Sequence, residues 1–115
     1  MDAKKENKNA YKQMKFRIGI FQIVNRKTNR KYLSTSTDLE RAYNGDKFQI
    51  NNGLHRNNDL QSDWNNLGSN EFEFSIVDEL NVEDTATKTK INADLKEFID
   101  MYKSELLKTG ELLYE

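Results

Sequence analysis

The sequence predicts a small α+β domain with a three-stranded antiparallel sheet flanked by helices. Three short segments carry the aromatic and β-branched residues that are typical of strands. Three further segments repeat apolar residues at helical spacing, two between the second and third strands and a long one at the end. The predicted element order is β-β-α-α-β-α, in which helices cover the apolar face of the sheet.

The first two strands are predicted to form a hairpin. Residues 16–24 alternate and then run apolar, residues 25–30 form a polar turn, and residues 31–35 make the second strand. The next segment, Thr37-Asp38-Leu39-Glu40, has the pattern of a capping box, in which Thr37 and Glu40 would bond the free amides of a helix start. A helical face follows, formed by Leu39, Ala42 and Tyr43.

The second half of the chain is predicted to contain a short helix, a strand and a long helix. Residues 44–58 are rich in Asn and Gly and are predicted to be a loop. A short helix then ends at Gly68, and residues 72–78 alternate as the third strand. The long helix is predicted from about Asp84, with an apolar stripe made by Ile91, Leu95, Phe98, Ile99, Tyr102 and Leu106.

The composition limits the classes of protein. A chain of 115 residues is enough for one domain with one modest core. The absence of cysteine excludes disulfides, thiolate catalysis and cysteine-rich zinc sites, and the single histidine, His55, argues against a histidine-based metal centre. No apolar run approaches the roughly 20 residues of a membrane span, so a soluble, cytoplasmic protein without a membrane partner is expected.

The domain boundaries are predicted from charge and periodicity. Residues 1–13 are charged and amide-rich without periodicity and are interpreted as a flexible leader, residues 14–109 as the domain, and residues 110–115 as a C-terminal tail. Residues 1–32 hold ten Lys or Arg and two acidic residues, whereas residues 33–115 hold eight and seventeen. A basic end on an acidic domain can steer a polyanion to one face, although a solvated tail explains the same charge.

Two motifs and one longer segment resemble a known nuclease family. The motifs are Gly19-Ile20-Phe21 and Tyr32-Leu33-Ser34, and the segment is residues 57–64 followed by Gly68 and residues 71–74. This ordered set of motifs resembles that of the GIY-YIG nucleases, especially of members related to phage homing endonucleases. The resemblance covers residues 16–105. The resemblance implies the GIY-YIG fold and metal-dependent cleavage of phosphodiester bonds.

The resemblance also implies which positions would hold the catalytic groups. Phe21 stands in place of the first-motif tyrosine, a proposed general base, whereas the second-motif tyrosine is retained as Tyr32 and its glycine is replaced by Ser34. The family arginine falls at Ala42, and Arg41 beside it would need a local shift because one helical residue rotates a side chain by about 100°. Tyr32 and Arg41 are therefore the candidate catalytic residues.

The resemblance places the metal-binding glutamate of the family at Leu95. Mg²⁺ or Mn²⁺ would be the cofactor of an active enzyme and would need oxygen ligands. Asp94 and Glu97 are near in sequence but lie off the predicted apolar face, so no metal ligand is evident and no cofactor is expected. Phe21, Ala42 and Leu95 are expected to converge, as a catalytic pocket that has become core.

Candidate nucleic-acid contacts lie in two places. One is the loop before the second predicted helix, with His55, Arg56 and Asn57. The resemblance implies that this loop approaches nucleic acid. The first hairpin carries basic residues, for which DNA or RNA phosphates would be natural partners. The hairpin candidates are Arg26, Lys27 and Lys31, with Arg17 and Arg30 nearby.

Three hypotheses follow. The leading one is a degenerate GIY-YIG protein, with hydrolysis lost or strongly attenuated and a role in binding nucleic acid. The first alternative is an active metal-dependent endonuclease that uses Tyr32, Arg41 and a nearby carboxylate. The second is a protein-interaction module without a nucleic-acid partner, which would show no salt-sensitive DNA binding.

Overall fold

In the part of the chain that the structure describes, three strands and three α-helices follow one another in the predicted order. The computed structural model describes residues 17–83 and 85–114, so the predicted leader lies outside the described residues. The elements are β1 (Gly19–Asn25), β2 (Arg30–Ser36), α1 (Leu39–Asn51), α2 (Asn58–Leu67), β3 (Phe72–Glu79) and α3 (Lys88–Lys108). In the described ranges no helix is long and apolar enough to cross a membrane.

The sheet has the order β2-β1-β3, and both pairs of neighbours are antiparallel. The register places Phe21 opposite Ser34 and Ile23 opposite Tyr32. Because successive side chains of a strand point to opposite faces, these four residues lie on one face of the sheet. The predicted α+β fold with a three-stranded antiparallel sheet is confirmed.

The glycine of the first motif is explained by a close approach between β1 and β3. The register between these strands shifts between Ile20 and Phe21. A Cβ atom at Gly19 would clash with the backbone carbonyl of Asp78 on β3. A residue without a side chain is therefore required for the two strands to pair at this irregularity.

Helices cover both faces of the sheet. Phe21, Ile23 and Tyr32 share one core cluster with side chains from both α1 and α2. The other face carries the buried Ile20 and Leu33 and is covered by α3, which contacts β1 and β2. The hydroxyl of Tyr102 on α3 donates to Asp78, which lies opposite Ile20 in the sheet.

Helix α1 is longer than the sequence predicts. The predicted loop of residues 44–58 is wrong up to Asn51, because the helix continues for two more turns. Its buried face consists of Leu39, Asp46 and Ile50, and the charge of Asp46 interrupts the apolar pattern. The helix is capped by Asp38 and not by Thr37, since the Asp38 carboxylate accepts from the backbone N–H of Arg41 at 3.2 Å.

The last residues belong to the domain, so the predicted tail of residues 110–115 is wrong as far as residue 114. The backbone N–H of Lys31 on β2 donates to Leu112 at 2.9 Å, and that of Tyr114 donates to Lys31 at 2.8 Å. The Tyr114 side chain is 2% exposed and joins the core cluster. Its hydroxyl donates to Asp63 at 2.6 Å and accepts from the Asn25 amide at 3.1 Å.

The buried hydroxyl of Tyr114 predicts a loss of stability at alkaline pH. Burial, with the hydrogen bond to Asp63, raises the pKa of Tyr114 from 10.0 to about 12. The folded state therefore favours the neutral phenol, and this stabilisation is complete below pH 10 and lost as the pH rises to about 12. Between these values the free energy of unfolding should fall more steeply in the wild type than in Tyr114→Phe, as measured by urea unfolding. Equal slopes would contradict the assignment.

Candidate functional site

The second-motif tyrosine lies at the centre of a polar cluster on the face of the sheet that α1 covers. Tyr32 is largely buried, and its ring meets the ring of His55 edge to face, with centroids 5.0 Å apart. Burial raises the pKa of Tyr32, although the positive charge of Arg56 acts in the opposite direction. Its phenol therefore stays protonated at neutral pH, where it can donate a hydrogen bond to a ligand.

The buried carboxylate of Asp46 joins α1 to the loop before α2. Its Oδ1 accepts from Nη1 of Arg56 at 3.2 Å, and its Oδ2 accepts from Nη2 of Arg56 at 3.3 Å. Oδ2 also contacts Nε2 of His55 at 3.1 Å. Both oxygens are thus occupied, and the negative charge is paired with a guanidinium, as a buried carboxylate requires.

His55 is held in one orientation by its neighbours. Its Nδ1 accepts from the backbone N–H of Asn57 at 3.0 Å, so the ring proton lies on Nε2 and is donated to Asp46. Its own backbone N–H donates to the side chain of Gln61 at 3.0 Å. The His55 side chain is 0% exposed, so the predicted direct contact of His55 with nucleic acid is wrong. The ring is instead a structural partner of Asp46.

Arg56 presents the charge of the cluster to solvent. Its side chain is 52% exposed, its Cζ lies 5.7 Å from the centre of the Tyr32 ring, and its Nη2 is 3.5 Å from Oγ of Ser34. An open depression of about 500 Å³ begins here, lined by Tyr32, Arg56, Asn57, Asn58 and Asp59. Asn57 also caps α2, because its Oδ1 accepts from the backbone N–H of Leu60 at 3.0 Å.

Comparisons with known structures match this fold. The catalytic domain of the homing endonuclease I-TevI is 30% identical, with a TM-score of 0.53, over 71% of this chain and 88% of that one. The catalytic domain of intron endonuclease I-TevI in a glutamate-to-alanine mutant is 28% identical, with a TM-score of 0.53, over 73% and 86%. I-TevI is a GIY-YIG homing endonuclease. The chain belongs to the GIY-YIG family. No protein-family model matches it, and no curated protein matches it in sequence.

Of the three catalytic positions that are apolar here, two lie together and the third lies apart. Phe21 belongs to the core cluster, and Ala42 packs against it. Phe21 also lines an apolar cavity of about 330 Å³, with Leu39 among its other walls. Leu95 is 3% exposed on α3, which covers the opposite face of the sheet. The expected convergence of all three is therefore wrong for Leu95, because strand alternation separates the two faces.

The neighbour of Ala42 does not take part in the cluster. Arg41 is exposed on α1, and the side chains that line the depression beside Tyr32 do not include it. The guanidinium that lies near Tyr32 is that of Arg56. The structure thus brings Tyr32 together with Arg56, which lies in the loop before α2, and not with Arg41 on α1.

The residues present do not fit the divalent metal that a GIY-YIG nuclease implies. Leu95 supplies no ligand, and the oxygens of Asp46 are bound by Arg56, whose charge would repel a cation. On α3, Asp94 pairs with Lys90 at 3.1 Å. Within residues 17–83 and 85–114 no group of three His, Cys, Asp or Glu side chains could hold a metal ion.

Most of the basic residues predicted on the first hairpin make contacts within the protein. The Nζ of Lys31 pairs with Glu111 at 2.8 Å, and the guanidinium of Arg26 donates to the backbone carbonyl of Asn70. Arg30 stacks on the Tyr114 ring, with its Cζ 4.2 Å from the ring centre. Lys27 is exposed at the turn. The contacts of Lys31 and Arg30 hold the C-terminal segment, a role that the sequence analysis did not predict.

Asp46 is the residue of the cluster that the sequence analysis missed. It lies in the stretch interpreted as a loop. Because a charged residue interrupts the apolar pattern there, the sequence did not show that α1 continues with a buried face. A signal was present, because Asp46 follows Ala42 by four residues and precedes Ile50 by four. This spacing places Asp46 on the apolar face of α1, where its carboxylate needs a partner.

Proposed function

We propose that this GIY-YIG protein binds nucleic acid and that its hydrolysis of phosphodiester bonds is lost or strongly attenuated. One observation carries the proposal: a half-exposed arginine lies beside a retained tyrosine, while the positions of the other family tyrosine, arginine and glutamate are apolar. Arg56 and Tyr32 remain polar and line an open depression. Phe21 has no hydroxyl and Leu95 has no carboxylate, and both are buried.

The missing groups bear on hydrolysis in different ways. A divalent cation stabilises the charge that develops on the phosphate and activates water, and it needs oxygen ligands. A general base needs an atom that can accept a proton, which phenylalanine lacks. Removal of a single stabilising donor slows a reaction by about 10²–10³-fold. The missing hydroxyl at Phe21 and the missing guanidinium at Ala42, two positions that lie together, support a larger loss.

The polar groups of this cluster suit a phosphate. A guanidinium offers several N–H donors in one plane and matches phosphate oxygens. The protonated hydroxyl of Tyr32 adds a donor, since burial raises its pKa. Contacts of this kind hold the backbone of DNA or RNA without reading its sequence. Lys27 is an exposed candidate for a second phosphate.

The Arg56→Ala variant tests the binding site. Loss of one phosphate contact should weaken binding to a fluorescein-labelled DNA duplex by about ten-fold, equivalent to about 1.4 kcal/mol. The slope of log K against log salt should become shallower by about 0.9. Fluorescence anisotropy at several salt concentrations measures both quantities, with a labelled RNA as the second ligand.

A matched control removes a positive charge elsewhere. Lys96 is exposed on α3 and pairs with Asp100 at 3.4 Å, and α3 covers the opposite face of the sheet from Tyr32. Lys96→Ala should change the affinity much less than Arg56→Ala. Equal effects of the two variants would mean that only net charge matters, and wild-type protein that binds neither DNA nor RNA would refute the proposal.

A further inference from the structure

The guanidinium of Arg56 is held by the carboxylate of Asp46, which is itself buried and hydrogen-bonded. Two nitrogens of Arg56 donate to the two oxygens of Asp46, at 3.2 and 3.3 Å. Such a two-point contact fixes the plane of the guanidinium as well as its position. The Asp46 side chain is itself 6% exposed and is held by His55. Buried His55 therefore holds Asp46 in place, and Asp46 in turn holds half-exposed Arg56.

Fixing the guanidinium leaves donors for a ligand. Arginine carries five N–H groups, of which the contact with Asp46 uses two. Nη2 also approaches Ser34 at 3.5 Å, on the side of the depression that contains Tyr32. An arginine that is free in solution must lose rotamer freedom when it binds, whereas one that is already held loses less.

We infer that Asp46 is a positioning residue, which holds Arg56 in the orientation that binds a phosphodiester, with His55 fixing Asp46 in turn. The inference rests on the proposed function, since it concerns the same arginine. It names a residue that the sequence analysis did not find. Asp46 does not touch the ligand, because its oxygens are bound to Arg56 and His55.

Removal of the Asp46 charge changes the affinity for nucleic acid in opposite directions under the two explanations, positioning of Arg56 and simple electrostatics. A carboxylate close to a phosphate repels it, so removal of the Asp46 charge should strengthen binding if charge alone matters. If Asp46 acts by holding Arg56, its removal should weaken binding although the protein becomes less negative. Asp46→Asn is the suitable change, because the asparagine oxygen can still accept the proton of His55.

A double-mutant cycle makes the test. Wild type, Asp46→Asn, Arg56→Ala and the double variant are titrated against the fluorescein-labelled DNA duplex, and thermal unfolding checks that each is folded. Asp46→Asn should weaken binding about three- to ten-fold alone. It should cause no further weakening when Arg56 is already Ala. A purely structural role would weaken binding equally in both backgrounds.

The outcomes distinguish this inference from the proposed function. If the wild type binds neither DNA nor RNA, the proposed function fails and the inference fails with it. If the wild type binds but Arg56→Ala binds equally tightly, the proposed function stands and the inference fails. If Arg56→Ala binds weakly but Asp46→Asn binds as tightly as wild type or more tightly, only the positioning role is overturned. Arg56→Lys gives a second readout should Asp46→Asn unfold. Lysine keeps the charge but cannot make the two-point contact, so affinity close to that of wild type would also overturn the inference.

Discussion

Leu95→Glu is expected to lower the free energy of unfolding by about 4 kcal/mol or more. Leu95 is 3% exposed among the side chains between α3 and the sheet. The substitution removes an apolar side chain and places a carboxylate at a buried position, a combination that produces the largest single-residue effects. Since small domains are stable by about 5–15 kcal/mol, a large part of the variant would be unfolded. Urea unfolding followed by circular dichroism measures the change.

Two controls separate the buried charge from other effects at this helix. Leu95→Met keeps the volume and should cost less than about 1.5 kcal/mol. Met101→Glu introduces the same charge at an exposed position of α3 and should change stability by about 0.5 kcal/mol or less. If Leu95→Glu were as stable as wild type and Mn²⁺ raised its melting temperature, the position would be an open metal site and not part of the core.

Tyr114→Ala is the second change with a large expected effect, a loss of about 3–5 kcal/mol. The ring fills the core cluster and its hydroxyl joins Asn25 to Asp63. Replacement by alanine removes both the packing and the hydrogen bonds. Thermal and urea unfolding should show a much less stable domain, with a melting temperature lower by at least 10 °C.

Two further variants separate the contribution of the Tyr114 hydrogen bonds from that of its ring packing. Tyr114→Phe keeps the ring and should cost only about 1 kcal/mol below pH 10, the contribution of the hydrogen bonds. Leu112→Ala, at an exposed position two residues earlier, should leave stability nearly unchanged. A Tyr114→Ala variant as stable as wild type would mean that the segment after α3 is a tail, as the sequence analysis predicted.

The parts of the fold that the sequence predicted are those with a repeating pattern. Strands alternate with a period of two, and α3 carries a long apolar stripe, so the element order follows from the residues. The errors occur where one residue acts alone. Tyr114 is a single aromatic residue after the last helix, and no periodic pattern indicates that it is buried in the core.

The candidate site was predicted less completely, because it depends on pairs that meet only in three dimensions. Asp46 and Arg56 are separated by a turn between two helices, and only the folded chain brings the carboxylate and the guanidinium together. His55 is a polar residue in a polar segment, which favoured exposure, yet its ring is buried because Asp46 offers it a partner. Patterns of apolar residues do not report such buried polar networks.

The most direct test of the central claim is one gel assay on supercoiled plasmid DNA. Purified protein is incubated with the plasmid in Mg²⁺, Mn²⁺ or EDTA, and each sample is divided. One half is run untouched to detect binding as a mobility shift, and the other is run after protein removal to detect nicked or linear DNA. We predict a salt-sensitive shift without cleavage in any lane. Metal-dependent cleavage that disappears in EDTA and in Tyr32→Phe would contradict the account.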